Sequence, residues 1–221
     1  MAIGTIGIVA AMHDEISSLL AAMGASARIE TIGRRDYYCG RVDGHDCVVV
    51  LARIGKVAAA ATVTTLIRDF AVSEILFTGL AGGIGEPVAV GDVVVADQLV
   101  QHDMDCRPLF PLHHVPLLDL SHFPAEATRV AALRQAVQTF LDEDLDRLIP
   151  SATRAQFGIR APQLHTGLIA SGDRFIHAPD DVAQIRAALP GALAVEMEGA
   201  AVAQICHEYG IPCAVVRTIS D

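Results

Sequence analysis

The chain reads as an α/β protein, a sandwich built on a largely parallel central sheet. Three observations carry that reading. Short apolar runs of strand length alternate with amphipathic helical stretches along the whole chain, interrupted by one early hairpin. The composition, 52% apolar with no Trp, suits buried strands covered by Ala-rich helices. At 221 residues the chain fits one sizeable core better than two, so residues 1–221 are expected to form a single domain.

Taken in order, Ile3 to Ala10 reads as a buried strand, and His13 to Met23 as a helix with Ile16, Leu19, Leu20 and Met23 on one face. Glu15 then lies in the first turn of that helix, just beyond a strand end. Tyr37 to Val42 and Cys47 to Ala52 flank Asp43-Gly44, a hairpin signal because a type I′ turn needs positive φ. An Ala-rich helix follows Ile54-Gly55-Lys56 and runs to about Phe70. The strand Glu74 to Thr78 opens into Gly79-Leu80-Ala81-Gly82-Gly83-Ile84-Gly85, where the chain must approach something closely. A dinucleotide fingerprint would place a helix directly after these glycines. Here Glu86-Pro87 and Val90-Gly91-Asp92 lead into another strand, Val93 to Val100. Gly55-Lys56 lacks the spaced glycine and the Ser or Thr of a P-loop, so that phosphate-binding reading fails as well.

Gln101 to Pro124 carries Pro108, Pro111, Pro116 and Pro124 without sustained periodicity, and is expected to be a long irregular loop. Its His102, Asp103, Cys106, His113 and His114 match no standard zinc spacing, and no metal is expected. A helix from about Ala125 to Leu145, a strand from Gln163 to Ile169, the turn Ser171-Gly172-Asp173 and a helix from Pro179 to Leu189 follow. Leu193 to Met197 then reads as a strand, Ala200 to Tyr209 as a helix and Cys213 to Ile219 as the last strand. Glu196 and Glu198 stand at the change from strand to helix. In open α/β sheets ligands bind outside strand ends, which suits a ligand-facing Glu198; a helix-start acid favoured by the helix dipole reads equally well from spacing alone.

Sixteen Lys and Arg against 26 Asp and Glu give a net charge of −10, which argues against a nucleic-acid or anionic-membrane surface and favours a small-molecule ligand. Cys39, Cys47, Cys106, Cys206 and Cys213 form no CxxC pair and read as reduced thiols of a cytoplasmic protein. The apolar start has no preceding Lys or Arg and is broken by Asp14 and Glu15, so neither a signal peptide nor a membrane span is expected.

Ala11-Met12-His13-Asp14-Glu15, Ile54-Gly55-Lys56-Val57, Thr78-Gly79-Leu80-Ala81-Gly82-Gly83, Val90-Gly91-Asp92, Ser171-Gly172-Asp173-Arg174-Phe175-Ile176, Val195-Glu196-Met197-Glu198 and Arg217-Thr218-Ile219-Ser220-Asp221 together resemble one family. It is that of the 5′-methylthioadenosine/S-adenosylhomocysteine nucleosidases, within the purine nucleoside phosphorylase superfamily. The resemblance implies a three-layer α/β sandwich with a mixed, largely parallel sheet, and hydrolysis of the N-glycosidic bond of adenine nucleosides without a cofactor. It also implies roles. Glu15 is the base that activates water, and Asp221, steadied by Ser220, is the acid that protonates adenine at N7. Glu198 accepts hydrogen bonds from the ribose hydroxyls, Phe175 stacks on adenine and the Ile176 main chain reads its edge. Met197 packs on the ribose and the 5′ substituent, with Ile54 nearby and the Gly82 backbone close to the ligand, while Arg217 orients the carboxylates and the water. Such chemistry needs an acid and a base on opposite sides of an oxocarbenium-like sugar.

Some positions depart from the family pattern. Leu80 stands where Ser is common, His13 and Asp14 where further acids are usual, and Arg53 where a small residue is usual. A phosphorylase of the same fold is the nearest rival, but it would carry Arg where this chain has Phe77. Aminofutalosine hydrolysis and nucleoside binding without turnover stay open beside it. Relatives continue past the position of Asp221 into a C-terminal helix, so the domain is expected to lack that element here. The resemblance also implies a homodimer, with the loop near Phe110 and Pro111 a candidate contact.

Overall fold

The computed structural model describes residues 4–24 and 27–221. In chain order its elements are β1 (Ile6–Ala10), α1 (Ser17–Met23), β2 (Arg28–Ile32), β3 (Arg35–Val42), β4 (His45–Leu51), α2 (Lys56–Asp69), β5 (Glu74–Phe77), β6 (Leu80–Gly83), β7 (Val93–Gln101), β8 (His122–Pro124), α3 (Ala127–Thr139), α4 (Leu145–Leu148), α5 (Ser151–Gln156), β9 (Leu164–Ser171), α6 (Pro179–Ala188), β10 (Ala192–Glu196), α7 (Gly199–Tyr209) and β11 (Cys213–Ile219). Ile3, included in the expected first strand, lies outside the described residues. No described helix is long and apolar enough to cross a membrane.

Strand alternation explains the layers. Val9, Val48 and Val50 point to one face of the sheet and join Ala59, Val63 and Leu66 of α2 and Ala200, Val202, Ala203 and Cys206 of α7 in the main core. Their neighbours Ile8, Ala10, Cys47 and Val49 point to the other face and pack with Ile16 and Met23 at the α1 side. Helices thus cover both faces of a mixed sheet, giving three layers.

The strands lie in the order β2-β3-β4-β1-β5-β11-β6-β10-β9-β7-β8, and β11 pairs with β7 as well. That extra pairing curls one half of the sheet into a closed ring of β11, β6, β10, β9 and β7, while β2 to β5 form an open wing with β1 between parallel β4 and β5. β11 joins the two: Cys213 to Val215 pair with β5, and Thr218 and Ile219 pair with β6.

The Gly-rich stretch serves this closure. A Cβ on Gly83 would stand 3.0 Å from Ile219 Cγ2, and one on Gly85 would stand 3.1 Å from the Leu193 Cα. The segment where a close approach is expected contains strand β6, held against β10 and β11, and its glycines admit neighbouring strands rather than a phosphate. Asp43 and Gly44 have φ of 47° and 84°, the positive values the predicted hairpin requires.

Other boundaries differ for physical reasons. Strand β2 carries Arg28, Glu30 and Thr31 and pairs only with β3, so an exposed edge hides its signal. The helix expected from Ala125 to Leu145 starts when the Glu126 carboxylate caps Thr128 and Arg129 N–H, then leaves α geometry in a π turn over Phe140–Asp144 before α4. The Gln101–Pro124 segment is irregular for most of its length, with one bridge between Val115 and Leu120 ahead of β8.

Candidate active site

Glu15 sits in a single 3₁₀ turn, His13–Glu15, between β1 and α1 rather than in the helix itself. The turn folds its carboxylate back over the strand end. Oε2 accepts the Ala11 and Met12 N–H groups at 2.8 Å each, and Oε1 accepts the Leu80 N–H at 3.0 Å. One side chain thereby joins the end of β1 to the start of β6. A Cβ on Gly79 would fall 2.8 Å from Glu15 Oε1, so only glycine leaves room for this carboxylate.

Across the cavity, β10 ends in Glu196 and the chain breaks at Met197 and Glu198 before α7 begins at Gly199. Both acids are buried, with different partners. Glu196 accepts the Gly199 N–H at 2.8 and 2.9 Å, the Glu198 N–H at 3.2 Å, the Ser171 hydroxyl and the Arg217 guanidinium at 2.7 Å. It is the anchor of the segment. Glu198 is 5% exposed, and its Oε1 accepts the Gly55 N–H at 2.8 Å. Burial pushes the Glu198 carboxyl up to about 7; the Glu196 charge and, more weakly, Glu15 add to the rise, against the Gly55 N–H and Arg217.

Asp221 follows β11, and its Oδ1 accepts the Ser220 hydroxyl at 2.6 Å. The Gly83 N–H donates to the Asp221 main-chain oxygen at 2.8 Å, and Ser220 N–H donates to Ala81 O at 3.0 Å, which fixes both residues against β6.

These groups converge on one cavity of about 190 Å³. Glu15, Glu198 and Asp221 line it with Gly82, Ile176, Met197 and Ser220, and its mouth is apolar: Met12, Ile54, Leu80 and Phe175 all lie 43% exposed or more. Every residue expected at the site lines this cavity except Arg217. Its guanidinium is 1% exposed, bonded to Glu196 and to the Phe77 carbonyl at 3.3 Å, and sits 3.9 Å over the Phe77 ring. Arg217, expected to orient the carboxylates and the water, is turned by a core-facing strand position behind the cavity lining, where it pairs with the Glu196 carboxylate.

Residues 5–221 match the family model described as the phosphorylase superfamily. The chain belongs to that superfamily. Within it, the chain is 36% identical over 98% of its length to the 5′-methylthioadenosine/S-adenosylhomocysteine nucleosidase of Marinomonas sp., covering 85% of that protein, and 36% identical to its counterpart from Anoxybacillus flavithermus, with 84% covered. The S-adenosylhomocysteine nucleosidase of Streptococcus pyogenes, solved with 5-methylthiotubericidin, superposes with a TM-score of 0.85 at 36% identity over all of this chain and 85% of that one. The Neisseria meningitidis nucleosidase with methylthio-immucillin-A gives 0.86 at 35% identity, covering 99% and 86%. These similarities set the chain in the nucleosidase family of the superfamily.

Several residues important to the site carry little signal in the sequence. Glu196 reads there only as a second acid beside Glu198 at the change from strand to helix, yet its ion pair makes it the centre of the β10–α7 junction. Gly199 is readable as a helix start only; a Cβ there would stand 3.2 Å from Glu196 Oε1. Arg53, at φ 69°, bonds the Arg34 carbonyl and so ties the segment before α2 to the β2–β3 turn. His13 and Asp14 are exposed and lie outside the cavity lining, whereas Leu80 enters it.

Proposed function

We propose that the protein hydrolyses the N-glycosidic bond of 5′-methylthioadenosine and S-adenosylhomocysteine, releasing adenine and the thioribose. The observation that carries this reading is the convergence of Glu15, Glu198 and Asp221, from three distant parts of the sequence, on one apolar-mouthed cavity. Water adds to C1′ as the bond to the base breaks with its electron pair going to the purine. Glu15, held by backbone N–H groups so that it can only accept, takes the proton from the water. Asp221, with the Ser220 hydroxyl on its Oδ1, protonates adenine at N7. Glu198 accepts the 2′ and 3′ hydroxyls, and bonds to a charged acceptor strengthen as the sugar becomes cationic.

Around this centre Phe175 stacks on the base, the Ile176 main chain and the Gly82 backbone meet its edge, and Met197 and Ile54 pack on the ribose and its 5′ group. The electrostatics of the lining favour water over phosphate: among the described residues it holds the carboxylates of Glu15, Glu196, Glu198 and Asp221 against the single cation Arg174. The position at which a phosphorylase would carry Arg is filled by Phe77, fully buried beneath Arg217.

We further propose that the protein is a cytoplasmic homodimer serving methionine salvage. Free thiols at all five cysteines suit a reducing compartment, and Leu109 and Leu117, 83% and 95% exposed on the long loop, are suited to a subunit contact.

Incubation with methylthioadenosine, S-adenosylhomocysteine, aminofutalosine and inosine, each with and without phosphate, tests the assignment. Adenine is expected from the first two irrespective of phosphate. Release only with phosphate would assign a phosphorylase, and turnover of aminofutalosine alone a different hydrolase.

A further inference from the structure

The two amides that open α2 each hold a carboxylate. Gly55 N–H binds Glu198 Oε1 at 2.8 Å, and Lys56 N–H binds Asp173 Oδ1 at 2.8 Å. Gly55 is at φ +100°, and a Cβ there would also press on Asp173 Oδ1 at 3.2 Å, so the sequence needs glycine at this point. The Lys56 ammonium, 16% exposed, completes the arrangement by reaching Asp103 Oδ1 at 2.6 Å, Gln101 Oε1 at 3.0 Å and Asp173 Oδ2 at 3.9 Å. Asp103 Oδ2 in turn accepts the Asp173 N–H at 2.9 Å. Gln101 passes the chain on through Gln204 to Glu208 on α7.

Three segments remote in sequence are therefore tied at one knot: the start of α2, the end of β7 with its loop, and the turn after β9. That turn continues directly into Arg174, Phe175 and Ile176 of the cavity lining. We propose that Asp173 and Asp103, through Lys56, are positioning residues that hold the Gly55 N–H on Glu198 and the Phe175 turn against the cavity. The inference rests on the assignment of Glu198 to the ribose only for its kinetic consequence; the knot itself is geometric.

A surface ion pair of this kind would contribute little by itself. What distinguishes this one is the burial of Lys56 and the donors on its acids: both Asp103 oxygens and Asp173 Oδ1 each accept a hydrogen bond, and Asp173 Oδ2 adds only a 3.9 Å ion-pair contact to Lys56. Burial alone would raise the Asp103 carboxyl, but the Lys56 ammonium and the Asp173 N–H outweigh it and hold it below the usual range. Charged groups facing Glu198 are Glu196 from β10, Arg217 from β11 and Glu15 from the turn after β1. Lys56, Asp103 and Asp173 stand one layer further out, with the His102 ring against Gly172 beside them. Of the groups that favour ionised Glu198, only the Gly55 N–H hangs on the knot.

The test is the titration of Glu198 in the ligand-free protein, followed by carboxyl carbon NMR with the signal assigned by its loss in Glu198→Gln. In Asp173→Ala the midpoint is expected to rise by about one pH unit, the size of one charge-assisted hydrogen bond weakened. Asp173→Asn keeps an acceptor for the Lys56 N–H and should restore more than half of the difference. If Asp173→Ala does not fold, Asp103→Asn carries the same expectation, since its amide would set a donor against Lys56. An unchanged midpoint in the folded variants overturns the proposal. In parallel, kcat/KM for methylthioadenosine at pH 7 should fall roughly fivefold in Asp173→Ala, mostly through KM, as the ionised fraction of Glu198 drops. A wild type that releases no adenine would overturn the assigned function instead, and the NMR titration would still decide the positioning role.

Discussion

Replacing Glu198 by Gln should make the protein more stable while abolishing its activity. Glu198 is buried with one backbone donor and with Glu196 beside it, and its carboxyl rises from an ordinary 4.5 to about 7. The folded protein therefore keeps this proton up to about pH 7, whereas the unfolded chain releases it near 4.5. Between those values the folded state binds more protons, so stability falls as pH rises through the window and stays at the lower level above it. At ~1.4 kcal/mol for each tenfold change in proton affinity, the cost above pH 7 is roughly 3 kcal/mol. Gln carries no charge to bury, and its carbonyl still accepts the Gly55 N–H. Because its amide must find a new acceptor, the net gain at pH 8.5 is expected to be about 1–3 kcal/mol, or a rise in Tm of roughly 3–10 °C for a chain of this length. At pH 4 the electrostatic gain should be gone, leaving the variant no more stable than the parent protein. Thermal melts of both from pH 4 to pH 8.5 measure the difference, in which all other titrating groups cancel. A difference in Tm that is constant across the range would refute the electrostatic account of Glu198.

Other outcomes follow from the same geometry. Glu15→Gln should retain inhibitor binding and lose about 10²–10⁴ in kcat, because the base is gone and an amide donor faces backbone donors; single-turnover kinetics with a separate binding assay read the two effects apart. Gly79→Ala places a methyl against Glu15 and should lower kcat more than it raises KM, a split that steady-state kinetics report. Arg217→Met leaves the Glu196 charge buried and unpaired, and should destabilise the fold by about 3–5 kcal/mol in urea unfolding. Phe175→Ala should raise KM roughly ten- to hundredfold through lost stacking on the base while leaving Tm nearly unchanged, since that ring is 67% exposed.

The parts of the structure legible in the sequence are those in which local rules and the fold agree. Asp43-Gly44 announces its hairpin because positive φ is a local requirement, and α7 shows its face because Val202 and Cys206 bury at helical spacing. β6 is hidden because its glycines signal only a close approach; Gly83 and, just beyond the strand, Gly85 are needed against Ile219 and Leu193, distant in sequence and adjacent only once the ring closes. Edge strand β2 is hidden because its polar residues face solvent. At the site, motifs point to Glu15, Glu198 and Asp221, but the division of labour between Glu196 and Glu198 depends on Arg217 and Gly55, whose partners no spacing rule reports. The same holds for Lys56, which in sequence is only the residue after a glycine and in the structure joins three segments.

The central claim is that water, accepted by Glu15, attacks C1′ of an adenine nucleoside. Turnover of methylthioadenosine in ¹⁸O-labelled water, with phosphate present, tests it most directly. One labelled oxygen at C1′ of the released thioribose and free adenine in equal amount are predicted. Unlabelled ribose 1-phosphate ester as the product would contradict the account.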